Sequence, residues 1–226
     1  LKTPYVSTIW DIQHLTNPNY RETGSIFIKV YRNIVLKAFL KNSKKIIEET
    51  DLGKKEIKKF YQINDNFFYK LPHPTPQIFF KEKKTKSNLK IFKKNIFFIY
   101  PANFWEHKNH ILLLKSIKEI NLKYRKRINL VLVGSVKDRL HFNKIKNFIT
   151  INKLKKNIKI LKFVTLKKLI QLYDGCEALL YASSSGPENL PPLEAFARGK
   201  NVIISNYPGS KEQLNKFATY FDLKKK

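Results

Sequence analysis

The sequence predicts an α/β fold built on a parallel sheet. Three observations carry that expectation. From residue 96 onward, short apolar runs alternate with helically spaced ones. The runs IFFIY (96–100), INLVLV (128–133), ALLYA (178–182) and NVIIS (201–205) are continuous rather than alternating, as in strands covered on both faces. Prolines open a short helix over 191–198 and Gly199 follows its end, the expected asymmetry of helix termini.

Taken in order, the chain opens with a β-rich run from Pro4 to Trp10, followed by Asp11-Ile12-Gln13-His14. Residues 26–40 are mostly apolar with Lys and Arg interspersed at helical spacing, which predicts a core helix under a sheet. Lys45–Ile47 is a short strand candidate. Residues 53–63 predict an amphipathic helix with Ile57, Phe60 and Tyr61 on one face. LPHPTPQ (71–77) cannot be helical, because its prolines fix φ and remove donors. Residues 81–95 are charged and weakly patterned and read as a linker. Beyond it, helices are expected over 110–122 (Leu113, Leu114, Ile117, Ile120), over 140–151 (Phe142, Ile145, Phe148, Ile149) and around Leu166, Leu169, Ile170 and Tyr173, with a further strand at 158–163. The organisation expected is a partial domain over 1–80, the linker, and a second domain over 96–226. In parallel sheets ligands bind beyond the carboxyl ends of the strands, so the loops after 100, 133, 163, 182 and 205 are where chemistry is expected.

Composition narrows the class. At 226 residues and 42% hydrophobic content, the chain can build one large or two small packed domains and is not a disordered one. The single cysteine, Cys176, excludes a disulfide framework and a cysteine-based zinc site, and fits a reducing, cytoplasmic compartment. No apolar run approaches the roughly 20 residues of a membrane span, and the first residues are not a signal peptide. Methionine is absent, including at position 1, which predicts a fragment. Lys plus Arg is 45 against 17 for Asp plus Glu, a net charge of +28. The lysines are spread along the chain, Arg is scarce, and neither an RNP-like motif nor zinc-finger spacing occurs. Specific nucleic-acid recognition is therefore not expected. A general attraction to anionic surfaces, a membrane leaflet among them, is. An RNA-binding basic protein is the rival that the charge itself suggests.

Three stretches can carry chemistry. In YASSSGPENLPPLEAFARG (181–199) a strand ends in a small polar loop that runs into a helix N-terminus, where unpaired N–H groups favour a phosphate or diphosphate. Glu194, in the first turns of that helix, could reach a ribose hydroxyl. Equally, it could simply stabilise the helix dipole by about 0.3–1 kcal/mol. In YPANFWEHKNH (100–110), Lys108 sits near a helix start, where a cation opposes the dipole unless it meets an anion. His107 and His110 lack the i, i+4 spacing of helical zinc ligands, so no metal is expected there. Asp11 and His14, at a strand end, could position an acceptor hydroxyl or move a proton. The alternative is an Asx-turn beside a packed Trp10.

Together these stretches resemble a known family. STIWDIQH, GKKEIKKFY, LPHPTPQ, YPANFWEHKNHILLL, LVLVGS, LIQLYDGCEALLYAS, GPENLPPLEAFARG and SNYPGSKEQLNKFATYFDL occur in the order seen in GT-B glycosyltransferases of family 4. They are similar to the branch with WDLQH and PAQFWPHKNH motifs. The resemblance implies two facing Rossmann-like domains and a nucleotide-diphosphate sugar bound mainly by the C-terminal one. It implies retention at the anomeric carbon, no metal, and no other cofactor. Lys108 would neutralise the donor diphosphate, the backbone at Pro187, Glu188, Asn189 and Leu190 would hold it, and Glu194 would contact the ribose. Asn103, Gly134 and Gly186 fall within the same donor site. The leaving phosphate would take the acceptor's proton, so no glycosidase-like carboxylate pair is needed.

Three positions depart from the pattern. Gly186 stands where many members carry a first acidic residue, with Glu188 out of register; Asn103 replaces an Arg, and Trp10 replaces a His, with His14 four residues on. The family's N-terminal domain begins well before Leu1 and its C-terminal one runs beyond Lys226, so this chain alone is expected to be inactive. The activity implied is transfer of a sugar, mannose by analogy with the branch, to a glycan or lipid-linked acceptor in surface-polysaccharide synthesis, in the cytoplasm or peripherally on its membrane face. A catalytically dead nucleotide or polyanion binder is the rival that Gly186 and Asn103 suggest.

Overall fold

The computed structural model describes residues 3–83, 91–92, 96–124 and 128–223. The chain begins with β1 (Val6–Thr8), α1 (Gln13–Thr16), α2 (Ile26–Lys41), β2 (Lys45–Glu48), α3 (Asp51–Tyr61) and β3 (Phe68–Lys70). It continues with α4 (Ile78–Lys81), β4 (Phe97–Pro101), α5 (His110–Lys123), β5 (Asn129–Val133), α6 (Arg139–Ile151) and β6 (Ile158–Leu161). Then follow α7 (Leu166–Gly175), β7 (Ala178–Tyr181), α8 (Leu190–Ala197), β8 (Asn201–Ser205), α9 (Pro208–Leu214) and β9 (Thr219–Phe221). Most of the predicted linker (84–90 and 93–95) lies outside the described residues, as do 224–226; Lys81 closes α4.

The described residues form two compact units. The first comprises those up to Pro74 with Ser185–Asn189 and Tyr207–Asn215; the second comprises Thr75–Ser184, Leu190–Asn206 and the residues from Lys216 on.

The first unit carries a parallel sheet in the order β1-β2-β3. Its core is Ile9, Ile12, Leu40, Ile46 and Ile57, with Leu36, Tyr61 and Phe68 packed against it. α3 starts at an N-cap: Thr50 Oγ1 accepts the Gly53 N–H at 3.0 Å. Glu212 of α9 completes the cap by accepting the N–H groups of Asp51 (2.6 Å) and Leu52 (3.0 Å). Of the predicted α3 face, Ile57 is buried, Tyr61 half-buried and Phe60 exposed.

α2 corrects an expectation. Predicted as a core helix, it buries only Leu40, while Phe27 is 82% exposed and Ile26, Tyr31 and Ile34 are also open to solvent. Its apolar residues occupy too many positions around the helix for one contact face to cover, and hydrophobicity alone does not say which flank meets a partner.

The second unit carries six strands, all parallel, in the order β6-β5-β4-β7-β8-β9. This is the doubly wound order, in which the chain reverses direction between β4 and β7. β5 is buried at every residue, which explains its unbroken apolar run. Among the described residues no helix is long and apolar enough to cross a membrane.

Candidate functional site

The reversal between β4 and β7 is a topological switch point, and the carboxyl ends of strands at such a point are the usual ligand position in these sheets. The loops that follow the two strands are laced together. Ser184 N–H donates to His107 O at 2.9 Å, and the Asn109 side chain donates to Ala182 O at 2.9 Å. Tyr100, buried in β4, donates its hydroxyl to Lys108 O at 2.6 Å. Asn109 itself takes φ 51°, which turns the chain from a 3₁₀ turn at Glu106–Lys108 into α5.

Lys108 is thereby fixed. Its Nζ donates to Tyr181 Oη and to Ser183 Oγ, both at 3.1 Å, and lies 5.2 Å from the centre of the Tyr181 ring. Those two hydroxyls and the ring face fix the position of the ammonium. His107 and His110 are core residues rather than ligands. His110 packs 4.9 Å from both the Tyr100 and Phe104 rings, and burial pulls its imidazole down to about 3.

Glu194 is the fifth residue of α8, past its first turn, so the helix dipole does not account for it. Its Oε2 accepts the Tyr173 hydroxyl at 2.8 Å. Burial raises the Glu194 carboxyl above its ordinary range and the Tyr173 bond pulls it back. The same burial, with Glu194 next, drives the Tyr173 phenol well above its usual value. α8 ends as predicted, with Gly199 at φ 68° and its N–H bonded to Phe196 O.

The remaining donor-site candidates have visible structural duties. Asn103 is exposed and its Oδ1 accepts the Ser135 N–H at 3.0 Å. Gly134 follows β5 where a Cβ would come within 2.0 Å of Ala102 O, so close backbone packing alone demands glycine. Gly186 takes φ 115°, a conformation side chains rarely adopt. Gly186, Pro187, Glu188 and Asn189 lie in the segment that groups with the first unit, whereas Leu190 opens α8 in the second.

In the first unit, Asp11 forms the Asx-turn: its Oδ1 accepts the Gln13 N–H at 2.9 Å. It also lines an open groove of about 470 Å³ with Trp10, Tyr31 and Arg32. Trp10 is 69% exposed and so is not the packed residue of the alternative reading. His14 is buried, its imidazole lowered by burial and then by Arg32. The structure therefore presents Asp11 to the groove and withdraws His14.

A second constellation was not assembled from the sequence. Ligand atoms of Glu49, His73 and Glu188 lie within 4.8 Å of one another. His73 Nδ1 is 2.6 Å from Glu49 Oε1 and 3.5 Å from Glu188 Oε2, and the His73 backbone N–H donates to Glu188 Oε2 at 2.9 Å. The Gln213 amide donates to the other Glu188 oxygen at 3.2 Å. Burial lifts Glu49 to about 7, against the pull of His73. Among the described residues this is the group with the donor types and spacing to hold a metal ion, and protein donors already engage its members. Glu188 lies 115 residues from His73, a separation that no sequence spacing rule spans.

Comparison with known proteins adds to this geometry. The family described as "Glycosyl transferases group 1" matches residues 81–224. The O-antigen chain mannosyltransferase RfbU of Salmonella typhimurium is 27% identical over 213 residues, covering 94% of this chain and 55% of that protein. Anabaena Alr3699/HepE, solved with UDP and glucose, superposes with a TM-score of 0.80 at 15% identity over 98% of this chain and 58% of its own. Sucrose-phosphate synthase from Thermosynechococcus elongatus gives 0.81 at 16% identity over 100% of this chain and 56% of its own. At these identities the structural likeness is one of fold, and it agrees with the GT-B class expected from the sequence. The chain spans about half the length of the curated relative it matches.

Proposed function

Because the chain belongs to the group 1 glycosyl transferases, we propose that its protein moves a sugar from a nucleoside-diphosphate sugar to a glycan or lipid-linked acceptor. On this reading transfer retains the anomeric configuration, needs no metal, and serves surface-polysaccharide synthesis. Residues 96–226 supply the donor domain and 1–80 part of the acceptor side. Mannose is the sugar favoured, through the likeness to an O-antigen mannosyltransferase.

The observation that carries the reading is the Lys108 ammonium, held by Tyr181 and Ser183 at the switch point between β4 and β7. Negative charge builds on the leaving diphosphate in the transition state, and a pre-fixed cation there lowers the barrier. Glu194, projecting from α8 in the same unit, is the group for the nucleotide ribose. Asp11, facing its groove, is assigned to the acceptor, and His14 to structure.

Calorimetric titration of the chain with UDP, GDP and ADP at physiological salt, with pyrophosphate as the charge control, tests this. One nucleotide is expected to bind at least about tenfold more tightly than pyrophosphate. Lys108→Ala should weaken it about 10- to 100-fold, the worth of one charge-assisted contact. Glu194→Ala should erase the margin over pyrophosphate. Equal binding of all four ligands, abolished by salt, would reduce the observation to lysine charge.

The reading also includes docking on an anionic leaflet through α2, whose exposed Phe27, Tyr31 and Ile34 accompany exposed Lys37 and Lys41. Co-sedimentation with phosphatidylglycerol vesicles, lost on Phe27→Glu/Ile34→Glu and absent with neutral phosphatidylcholine, is the expected result. Equal sedimentation of parent and variant removes α2 from this role.

A further inference from the structure

We propose that Tyr173 is the positioning residue of the nucleotide site, holding the Glu194 carboxylate in the orientation that meets a ribose diol. The inference rests on the assignment of Glu194 above and goes one shell deeper. Tyr173 is wholly buried near the end of α7, its ring edge-on to Phe79 at 6.0 Å. Its single hydroxyl proton has two acceptors in range, Glu194 Oε2 at 2.8 Å and Pro191 O at 3.3 Å. The shorter, charge-assisted bond to the carboxylate prevails. The other carboxylate oxygen, Oε1, has no hydrogen-bond partner among the described residues and is left for a ligand.

The next residue completes the device. Asp174 receives Arg198 as a fork, Nε to Oδ1 at 2.8 Å and Nη2 to Oδ2 at 2.9 Å. Arg198 directly follows α8, one helical turn beyond Glu194, with its N–H bonded to Glu194 O at 3.2 Å, so consecutive residues of α7 grip α8 and its C-terminal end on one side. The arginine fixes the helix and the tyrosine fixes the side chain. A glutamate otherwise loses most of its rotamer freedom only when the ligand arrives, and a carboxylate already held avoids that cost at binding.

The test compares UDP and GDP with their 2′,3′-dideoxy analogues by calorimetry, in the parent chain, Tyr173→Phe, Glu194→Ala and the double variant. For the nucleotide that binds, the expected result is that Tyr173→Phe shrinks the margin for the natural ribose about tenfold while affinity for the dideoxy analogue stays within about twofold. The double variant should match Glu194→Ala, because the two changes act through one contact. A Tyr173→Phe that weakens both ligands alike, or that leaves the margin intact while Glu194→Ala erases it, overturns the inference and spares the Glu194 assignment. An unchanged margin in Glu194→Ala overturns both. Should Tyr173→Phe fail to fold by far-ultraviolet circular dichroism, Glu194→Asp takes its place. It withdraws the carboxylate from the phenol and keeps both groups, and a retained margin there refutes the inference.

Discussion

Glu48→Gln is expected to flatten the alkaline side of the stability profile. Glu48 ends β2 at 2% exposure, so close to Gly53 that a Cβ there would lie 2.0 Å from its Oε1. Burial pushes its carboxyl up to about 8; the Glu49 and Thr50 N–H groups pull it back only in part, and the charges of Glu49 and Glu56 push it further. The folded form thus keeps a proton that the unfolded chain releases near 4.5. Between those two values the unfolded state binds fewer protons, so native stability falls as pH rises. The loss runs at up to about 1.4 kcal/mol per pH unit, several kcal/mol across the window. Glutamine keeps the shape of the neutral acid and has no proton to lose. Melting curves from pH 5 to 9 should show parent and variant nearly equal at pH 5 and the variant ahead by about 5–15 °C at pH 9. A residual slope should remain in both below pH 7, from Glu49. Parallel profiles for the two proteins would mean that Glu48 is charged in the fold.

Arg198→Met is expected to be among the most damaging single substitutions in the second unit. Besides Asp174, the guanidinium donates to Phe79 O at 2.8 Å and Glu82 O at 2.7 Å. Arginine and aspartate side chains are 2% and 3% exposed. Removing one partner leaves a buried carboxylate and two carbonyls uncompensated, a loss of about 3–5 kcal/mol, or on the order of 10 °C in melting temperature. The pair as a whole is worth far less than that, because its desolvation offsets its attraction. Asp174→Asn/Arg198→Met should therefore recover much of the loss. A double variant as unstable as the sum of its singles would show that the carbonyl contacts, and not the buried charge, dominate.

How much of this was legible in the sequence depends on the range of each interaction. The six-stranded sheet was largely visible, because β4, β5, β7 and β8 are buried runs with strong local signatures. β3 and β9 were not. Each has three residues, partly exposed, too few to show a period. Lys108 stood out because it precedes a helix start beyond a predicted strand, and Glu194 because it lies in the short helix that follows a polar loop beyond another. Tyr173 was legible only as an apolar position on α7; its hydroxyl acquires meaning when α8 packs beside it. Glu188 was seen as an acid out of register, and its engagement with His73 and Gln213 could not be read from either neighbourhood. The α2 error has the same root. A pattern identifies an apolar helix, and only the fold decides what shields it.

The membership of Ser185–Asn189 and Tyr207–Asn215 in the first unit sets an order of events during synthesis. The sheet β1-β2-β3 leaves the ribosome before these segments, and the Glu212 carboxylate that caps α3 follows Leu52 by 160 residues. At roughly 5–20 residues per second, that is a wait of some ten to thirty seconds. During that wait the start of α3 must make do with Thr50 alone. The first unit is thus completed only after most of the second has been made, so a translation product stalled between them would carry an incompletely capped α3.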